Sequence, residues 1–295
     1  MNKTKNTLKS FSDKWSKNST IALNETTKEG SDIFNWILNR NGFKNAVEFK
    51  KFLSTKKRIL DAGCGNGRVT ALINKYSDSG KTEIIGIDLV KSAINTAKKN
   101  LGNKDNVKFI RKNLLSSLKD LGKFDFIYCQ EVLHHTNNPE KAFKNLCSLL
   151  NKGGEIAIYV YKKKAPIREF VDDFIRDKIS GLNYNEAAKY CEQITKLGKV
   201  LSKTKLKIKI PKVELLQIEE GEYEIQRFIY YFFMKCFWNE NLSFKDNSAI
   251  NYDWYHPQIC FRYHENEVIN WFKKLKLKIV SKNIDFYGIT IRGVK

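Results

Sequence analysis

The chain reads as an α/β protein with a doubly wound, mostly parallel sheet, and three observations carry that reading. The first is Ile59-Leu60-Asp61-Ala62-Gly63-Cys64-Gly65-Asn66-Gly67-Arg68 followed by Ile84-Ile85-Gly86-Ile87-Asp88. It is an apolar strand, a glycine-rich turn, a helix and a second strand that ends on a carboxylate, the form of a βαβ unit that holds an adenosine-bearing ligand. The second is a regular alternation of strand and helix patterns from Arg58 to Tyr161, which implies parallel strands with helices on both faces. The third is a closing pattern of one helix and two strands over 265–292, the strands joined tightly enough to form an antiparallel hairpin.

The elements follow in order. Residues 1–55 are a polar lead-in and two helical patterns. Ser31 caps the first, with Ile33, Phe34, Trp36, Ile37 and Leu38 at helical spacing, and Asn45 starts the second, with Val47, Phe49, Phe52 and Leu53 on one face. Over 56–161 the pattern predicts strands at 58–62, 83–88, 106–110, 124–128 and 154–161. Helices are predicted at 67–76, 91–99, 115–120 and 139–150. Residues 162–257 break the alternation and read as an ordered helical insertion. It has helices at 166–180 and 185–201, a basic run from Lys203 to Lys209, an acidic run at 219–224 and an aromatic-dense segment at 228–238. Arg168, Asp172 and Arg176 stand at i, i+4, i+8, the spacing of a solvated, salt-bridged helix face; the acidic run reads as a solvated loop. Residues 258–295 close the core with a helix at 265–274 and strands at 277–283 and 285–292.

Glycine spacing separates two cofactor classes. A dinucleotide fingerprint wants G-x-G-x-x-G; here the third glycine, Gly67, comes one residue early, and an acid, Asp61, sits two residues before the first. The pattern D-x-G-x-G-x-G resembles motif I of the class I S-adenosylmethionine-dependent methyltransferases. The segment from Phe124 to Thr136, with Gln130-Glu131-Val132-Leu133-His134-His135, resembles motif IV of the type 11, ubiquinone/menaquinone C-methyltransferase-like group. Leu149 to Glu155 resembles that group's L-x-P-G-G turn, with Lys152 in place of the proline. The resemblance covers 56–161 by motif and 262–293 by pattern. It implies a Rossmann-like, seven-stranded sheet with a C-terminal antiparallel hairpin, S-adenosylmethionine as cofactor and S-adenosylhomocysteine as product.

By that resemblance, Asp61 and the backbone of Gly63, Cys64, Gly65 and Gly67 hold the methionine moiety. Asp88, with Leu89 beside it, holds the ribose. Asn113 stands where the family has an Asp that contacts the adenine amino group, and the Leu114 backbone N–H meets the adenine ring. Gln130 and Glu131 sit at the tip of the fourth strand, beside the sulfonium and under the acceptor. Methyl transfer needs an aligned acceptor and, where that acceptor is protonated, a base. His134 and His135 are the candidates, since imidazole titrates near neutrality; the alternative is that one of them stacks on the cofactor or caps a helix. The Phe11–Trp15 segment reads either as a lid over the cofactor or as part of a core-facing aromatic stripe. The insertion, with Asn251 to Pro257, is the expected selector of the acceptor.

Composition bounds the rest. Net charge is +21, but lysine outnumbers arginine roughly five to one, so the charge reads as lysine spread over solvated faces more than as an arginine-rich nucleic-acid reader. The expected acceptor is therefore a small molecule taking the methyl group at O, N or C. An RNA methyltransferase and a non-catalytic S-adenosylmethionine-binding module stay open as alternatives. The Asn/Asp-Pro-Pro-aromatic tetrapeptide of amino-group enzymes, a Pro-Cys nucleophile and the paired acids of metal-dependent enzymes are missing, and no metal is expected. Six scattered cysteines form no zinc spacing. With neither a membrane-spanning run nor a signal peptide in view, a cytoplasmic enzyme is expected; no feature sets an oligomeric state.

Overall fold

The computed structural model describes residues 3–295. Its strands are β1 (Arg58–Ala62), β2 (Glu83–Asp88), β3 (Val107–Arg111), β4 (Phe124–Gln130), β5 (Leu150–Tyr161), β6 (Lys207–Ile210), β7 (Gly221–Glu224), β8 (Lys278–Ile284) and β9 (Gly288–Val294). The helices are α1 (Lys3–Lys17), α2 (Leu23–Thr27), α3 (Asp32–Arg40), α4 (Ala46–Leu53), α5 (Arg68–Tyr76), α6 (Lys91–Leu101), α7 (Pro139–Ser148), α8 (Pro166–Ile179), α9 (Tyr184–Lys203), α10 (Ile225–Phe232), α11 (Phe244–Tyr255) and α12 (Glu265–Lys274). The chain divides into two compact units. One joins Trp15–Lys162 to Phe261–Lys295, and the other joins the residues up to Lys14 to Lys163–Cys260. The lead-in read as one segment over 1–55 is thus shared between them.

The first unit is built on a seven-stranded sheet ordered β3-β2-β1-β4-β5-β9-β8. β1 to β5 pair in parallel, and β9 runs antiparallel to both β5 and β8. The strands are apolar on both faces because both are covered. Leu60, Ile85, Ile127 and Ile158 join Phe143, Trp271 and Phe272 on one side. Their neighbours Ile59, Ile84, Phe126 and Ala157 join Phe34, Leu38, Phe49 and Leu72 on the other. Ser31 and Asn45 cap α3 and α4 through side-chain bonds to the amides of Phe34 and Glu48.

Two local expectations need correction. The helix expected at 115–120 is a single 3-10 turn at Lys119–Leu121. The Asn113 side chain accepts from the Leu115 amide at 2.9 Å, and this Asx turn competes with helix formation. Strand five begins at Leu150 rather than 154, because Leu150 pairs with Phe124 and the register shifts before Phe126. Gly153, at φ 75°, absorbs that irregularity inside the strand.

The second unit departs further from the sequence reading. The basic and acidic runs pair as the antiparallel hairpin β6–β7, with Lys207 opposite Glu224 and Lys209 opposite Glu222. The Arg168, Asp172 and Arg176 face, expected in solvent, is buried at 1 %, 1 % and 4 % exposure. Arg168 Nε donates to Asp172 at 3.0 Å, and Trp254 Nε1 and Tyr255 Oη each donate to the same carboxylate at 2.8 Å. Burial pushes the Asp172 carboxyl up, yet the Arg168 charge, the Lys235 amide and the Tyr255 hydroxyl hold it below its ordinary range. A carboxylate can go inward at such low cost only with this many donors around it. The opposite face of α8 carries Phe170 and Phe174 outward.

Candidate active site

The suspect residues of the first unit gather at one edge of the sheet, where β1, β2 and β4 end. β1 leads through Asp61 into the glycine turn, and Gly63, Gly65 and Gly67 all take positive φ (85°, 55° and 83°). Space alone also demands glycine there. A Cβ on Gly63 would collide with the Val132 methyls, one on Gly65 would lie 2.5 Å from the Trp15 ring, and one on Gly67 2.8 Å from Leu101. The loop amides are spent internally: Gly63 and Cys64 both donate to Ile87 O, Gly67 donates to Cys64 O, and Gly65 donates to Asp88 Oδ2 at 3.1 Å. Asp88 thereby ties the end of β2 to the turn, and its Oδ1 accepts from the Val90 amide at 2.8 Å.

Asp61 is buried, and its Oδ2 accepts from Thr70 Oγ1 at 2.5 Å. Burial pushes its carboxyl up to about 6, against the opposing pull of the Thr70 hydroxyl and the Arg68 charge. At the tip of β4, Gln130 Oε1 accepts from the Tyr128 hydroxyl, which itself accepts from Asn41 Nδ2 at 3.3 Å. Gln130 Nε2 is buried without a hydrogen-bond partner in the protein. Glu131 follows at φ 59°, and its carboxylate meets Arg68 Nη2 at 3.2 Å. This ion pair joins the start of α5 to the strand tip.

The two histidines part company. His134 is fully buried, its ring 3.7 Å from the Tyr161 ring, and its carbonyl accepts from the Phe261 amide at 2.9 Å. His135 is half-buried, its ring 4.3 Å from that of His134 and edge-on to Tyr161. Asn113 is half-buried, with its oxygen already accepting from Leu115; Leu114 is buried, and Leu89 lies half-buried next to Asp88.

An aromatic wall stands at the same edge. Tyr159 pairs in register with Gln130, and Tyr161 pairs with Gly288 beside the β8–β9 turn, which holds Tyr287. The buried Arg40 guanidinium lies 3.4 Å from the Trp36 ring centre, 4.5 Å from that of Tyr159 and 5.5 Å from that of Tyr287. Asp285 accepts from its Nε at 2.9 Å and from its Nη2 at 2.6 Å.

Residues 53–214 match a family model described as a methyltransferase domain. The chain belongs to this family. Among curated proteins this methyltransferase is 30% identical over 101 residues to a ubiquinone biosynthesis O-methyltransferase of Coxiella burnetii, covering 34% of this chain and 42% of that one. It is 26% identical over 152 residues to a malonyl-[acyl-carrier protein] O-methyltransferase of Ilyobacter polytropus, covering 52% and 53%. A tRNA U34 carboxymethyltransferase of Campylobacter fetus is 38% identical over 115 residues, covering 37% and 38%. The chain thus spans about two fifths to one half of the length of these relatives. The solved structure of PKMT2 from Rickettsia typhi shares the fold at a TM-score of 0.54 and 16% identity, covering 84% of this chain and 52% of that one.

The methyltransferase belongs to the S-adenosylmethionine-dependent class, and its residues fit that cofactor. A carboxylate ends β2 and a buried amide donor stands at the tip of β4. Sequence reading missed Thr70 and Arg68, which carry no motif signal beyond following the glycines, and it missed Asn41, Tyr128 and Arg40. The spacing Tyr128-x-Gln130 places both side chains on one face of a strand and offered a clue.

Proposed function

We propose that this methyltransferase moves the methyl group of S-adenosylmethionine onto a small-molecule acceptor by in-line displacement, at the tip of β4. The observation that carries the reading is the meeting of Asp88, Gln130 and His135 with the wall of Trp36, Tyr159, Tyr161 and Tyr287 at one sheet edge. Aromatic walls with a few polar anchors suit a small, partly apolar ligand more than a phosphate backbone.

When bound, the cofactor supplies a methyl group made electrophilic by its sulfonium. Asp88 accepts from the ribose hydroxyls at the end of β2. Gln130 Nε2 donates to the cofactor, its amide held in orientation by the chain from Asn41 through Tyr128. Asp61 takes the cationic amino group of the methionine moiety, so that binding favours its ionised form. Asn113 and the Leu114 amide meet the adenine. Glu131 is a positioning residue, since Arg68 already pairs with it. His135, the half-exposed member of the pair, takes the proton from an acceptor hydroxyl or amine; His134, stacked on Tyr161, fixes the loop that presents it.

Two measurements test this. Calorimetry with S-adenosylhomocysteine should show saturable binding that Asp88→Ala weakens by about a hundredfold, from the loss of two charge-assisted hydrogen bonds. No binding by the wild type would overturn the cofactor assignment. Labelled methyl from S-adenosylmethionine, offered to fractionated lysate, should enter the low-mass fraction; entry into RNA instead would overturn the acceptor class.

A further inference from the structure

Between Phe170 and Leu215 the sequence of the second unit leaves several large apolar side chains exposed. Phe170 is 74 % exposed and Leu215 88 %, and Phe174, Tyr190, Val200 and Leu206 are each more than half exposed. On α9 the apolar positions have a pattern. Tyr190, Ile194, Leu197 and Leu201 recur at i, i+4, i+7 and i+11, a stripe that is half-buried at Ile194 and Leu201 and exposed at Tyr190 and Leu197, beside the buried face of Ala187, Cys191, Thr195 and Gly198. Lys189, Lys196 and Lys203, all exposed, repeat every seventh residue and so run parallel to that stripe on its far side.

Charge completes the pattern. From Lys189 to Lys212 the chain has eight lysines, no arginine and a single acid, Glu192; Glu224 and Glu222 stand opposite Lys207 and Lys209 on β6, so the unbalanced charge lies on α9. Three of the lysines meet acids from elsewhere (Glu240, Glu222 and Glu214), but those pairs are exposed and worth little in water. No helix among the described residues is long and apolar enough to cross a membrane.

We propose that the outer side of α9 docks the protein on an anionic lipid bilayer as a peripheral surface. The apolar stripe enters the boundary between headgroups and acyl chains, and the lysines beside it pair with acidic headgroups. The chemistry separates this occupant from two others. An isologous interface with a second copy would set lysine against lysine, and interface cores are depleted of lysine. Nucleic acid would leave Leu197, Val200 and Leu206 in water, since aliphatic side chains offer bases no stacking platform.

The test is sedimentation of the full chain with vesicles of phosphatidylcholine alone and of phosphatidylcholine mixed with phosphatidylglycerol. Binding is expected to the mixed vesicles only, and to weaken as salt rises. Lys189→Ala with Lys196→Ala should weaken it roughly thirty-fold, from the usual contribution of each basic residue near such a surface. Leu197→Ser should weaken it about tenfold, while Val200→Ser, at a side chain 61 % exposed, should weaken it at nearly unchanged melting temperature. Equal binding to both vesicles, or to neither, overturns the proposal. So does retention on tRNA that is indifferent to Leu197→Ser, or a dimer in sedimentation velocity that Leu197→Ser dissolves. None of these readouts depends on methyl transfer.

Discussion

Asp61→Asn should make the cofactor-free protein more stable while costing it its ligand. Burial raises the Asp61 carboxyl from 3.8 to about 6. An acid whose folded pKa lies above its unfolded one imposes a penalty as pH rises: the unfolded chain ionises from about pH 4, whereas the folded chain holds the proton until about pH 6. The shift of roughly two pKa units, at about 1.4 kcal/mol each, gives about 3 kcal/mol of lost stability at pH 7 and under about 1 kcal/mol at pH 4. Asparagine has the same shape, keeps an oxygen for the Thr70 hydroxyl and cannot ionise. Without cofactor, the variant should therefore melt roughly 5 °C or more above the wild type at pH 7.5, with the gap closing toward pH 4. Thermal melts across that pH range read it directly. A gap that does not narrow with falling pH, or a variant less stable than the wild type at pH 7.5, would show that burial does not penalise the carboxylate. The wild type's affinity for S-adenosylmethionine should fall as pH drops through about 6, and the variant's should be weak throughout.

Other perturbations probe other parts of the molecule. Gly63→Ala forces a side chain into a positive-φ position against the Val132 methyls and should cost about 2–4 kcal/mol in urea unfolding. Adding Val132→Ala should recover the steric part and leave the backbone part, of about 1 kcal/mol or more; full recovery would mean that φ carries no strain. On a found acceptor, His135→Ala should lower kcat by about a hundredfold or more, while His134→Ala should lower the melting temperature more than the rate. The reverse ranking would exchange their roles. Asp172→Ala strands the buried Arg168 charge and should destabilise the second unit by about 3–5 kcal/mol, read from the fluorescence of Trp254, which bonds to Asp172. A loss under about 1 kcal/mol would mean that water reaches the guanidinium.

The sheet was legible because its strands obey local rules. Apolar runs buried on both faces, the glycine spacing and the capping residues Ser31 and Asn45 each report themselves within a few residues. The positions of Asp61, Asp88 and Gln130 at the ends of β1, β2 and β4 were legible for the same reason, since a motif marks each. What was not legible depends on distant partners. Periodicity finds the Arg168-Asp172-Arg176 face but not its direction, which is set by Lys235, Trp254 and Tyr255 far down the chain. The β6–β7 hairpin hides behind opposite charges that read as two solvated runs until they are paired. The two histidines share one dipeptide, and the sequence does not say which ring stacks on Tyr161 and is fully buried and which stays half-buried.

The reversed polarity of α8 bears on the order in which the chain acquires its structure. Its Asp172 carboxylate is satisfied by groups 63, 82 and 83 residues away, so the helix cannot settle with its charges inward until that downstream chain has been made and has arrived. Before then, water is the better solvent for the arginines, and the phenylalanine side is the one that seeks cover. An early collapse on Phe170 and Phe174 would bury the wrong face, and the helix would have to roll about its axis to reach the native packing. Replacing Trp254 and Tyr255 together by alanine in the full chain should therefore favour the wrong rotation and give sticky, misfolded chains, with β8 and β9 still present to complete the sheet.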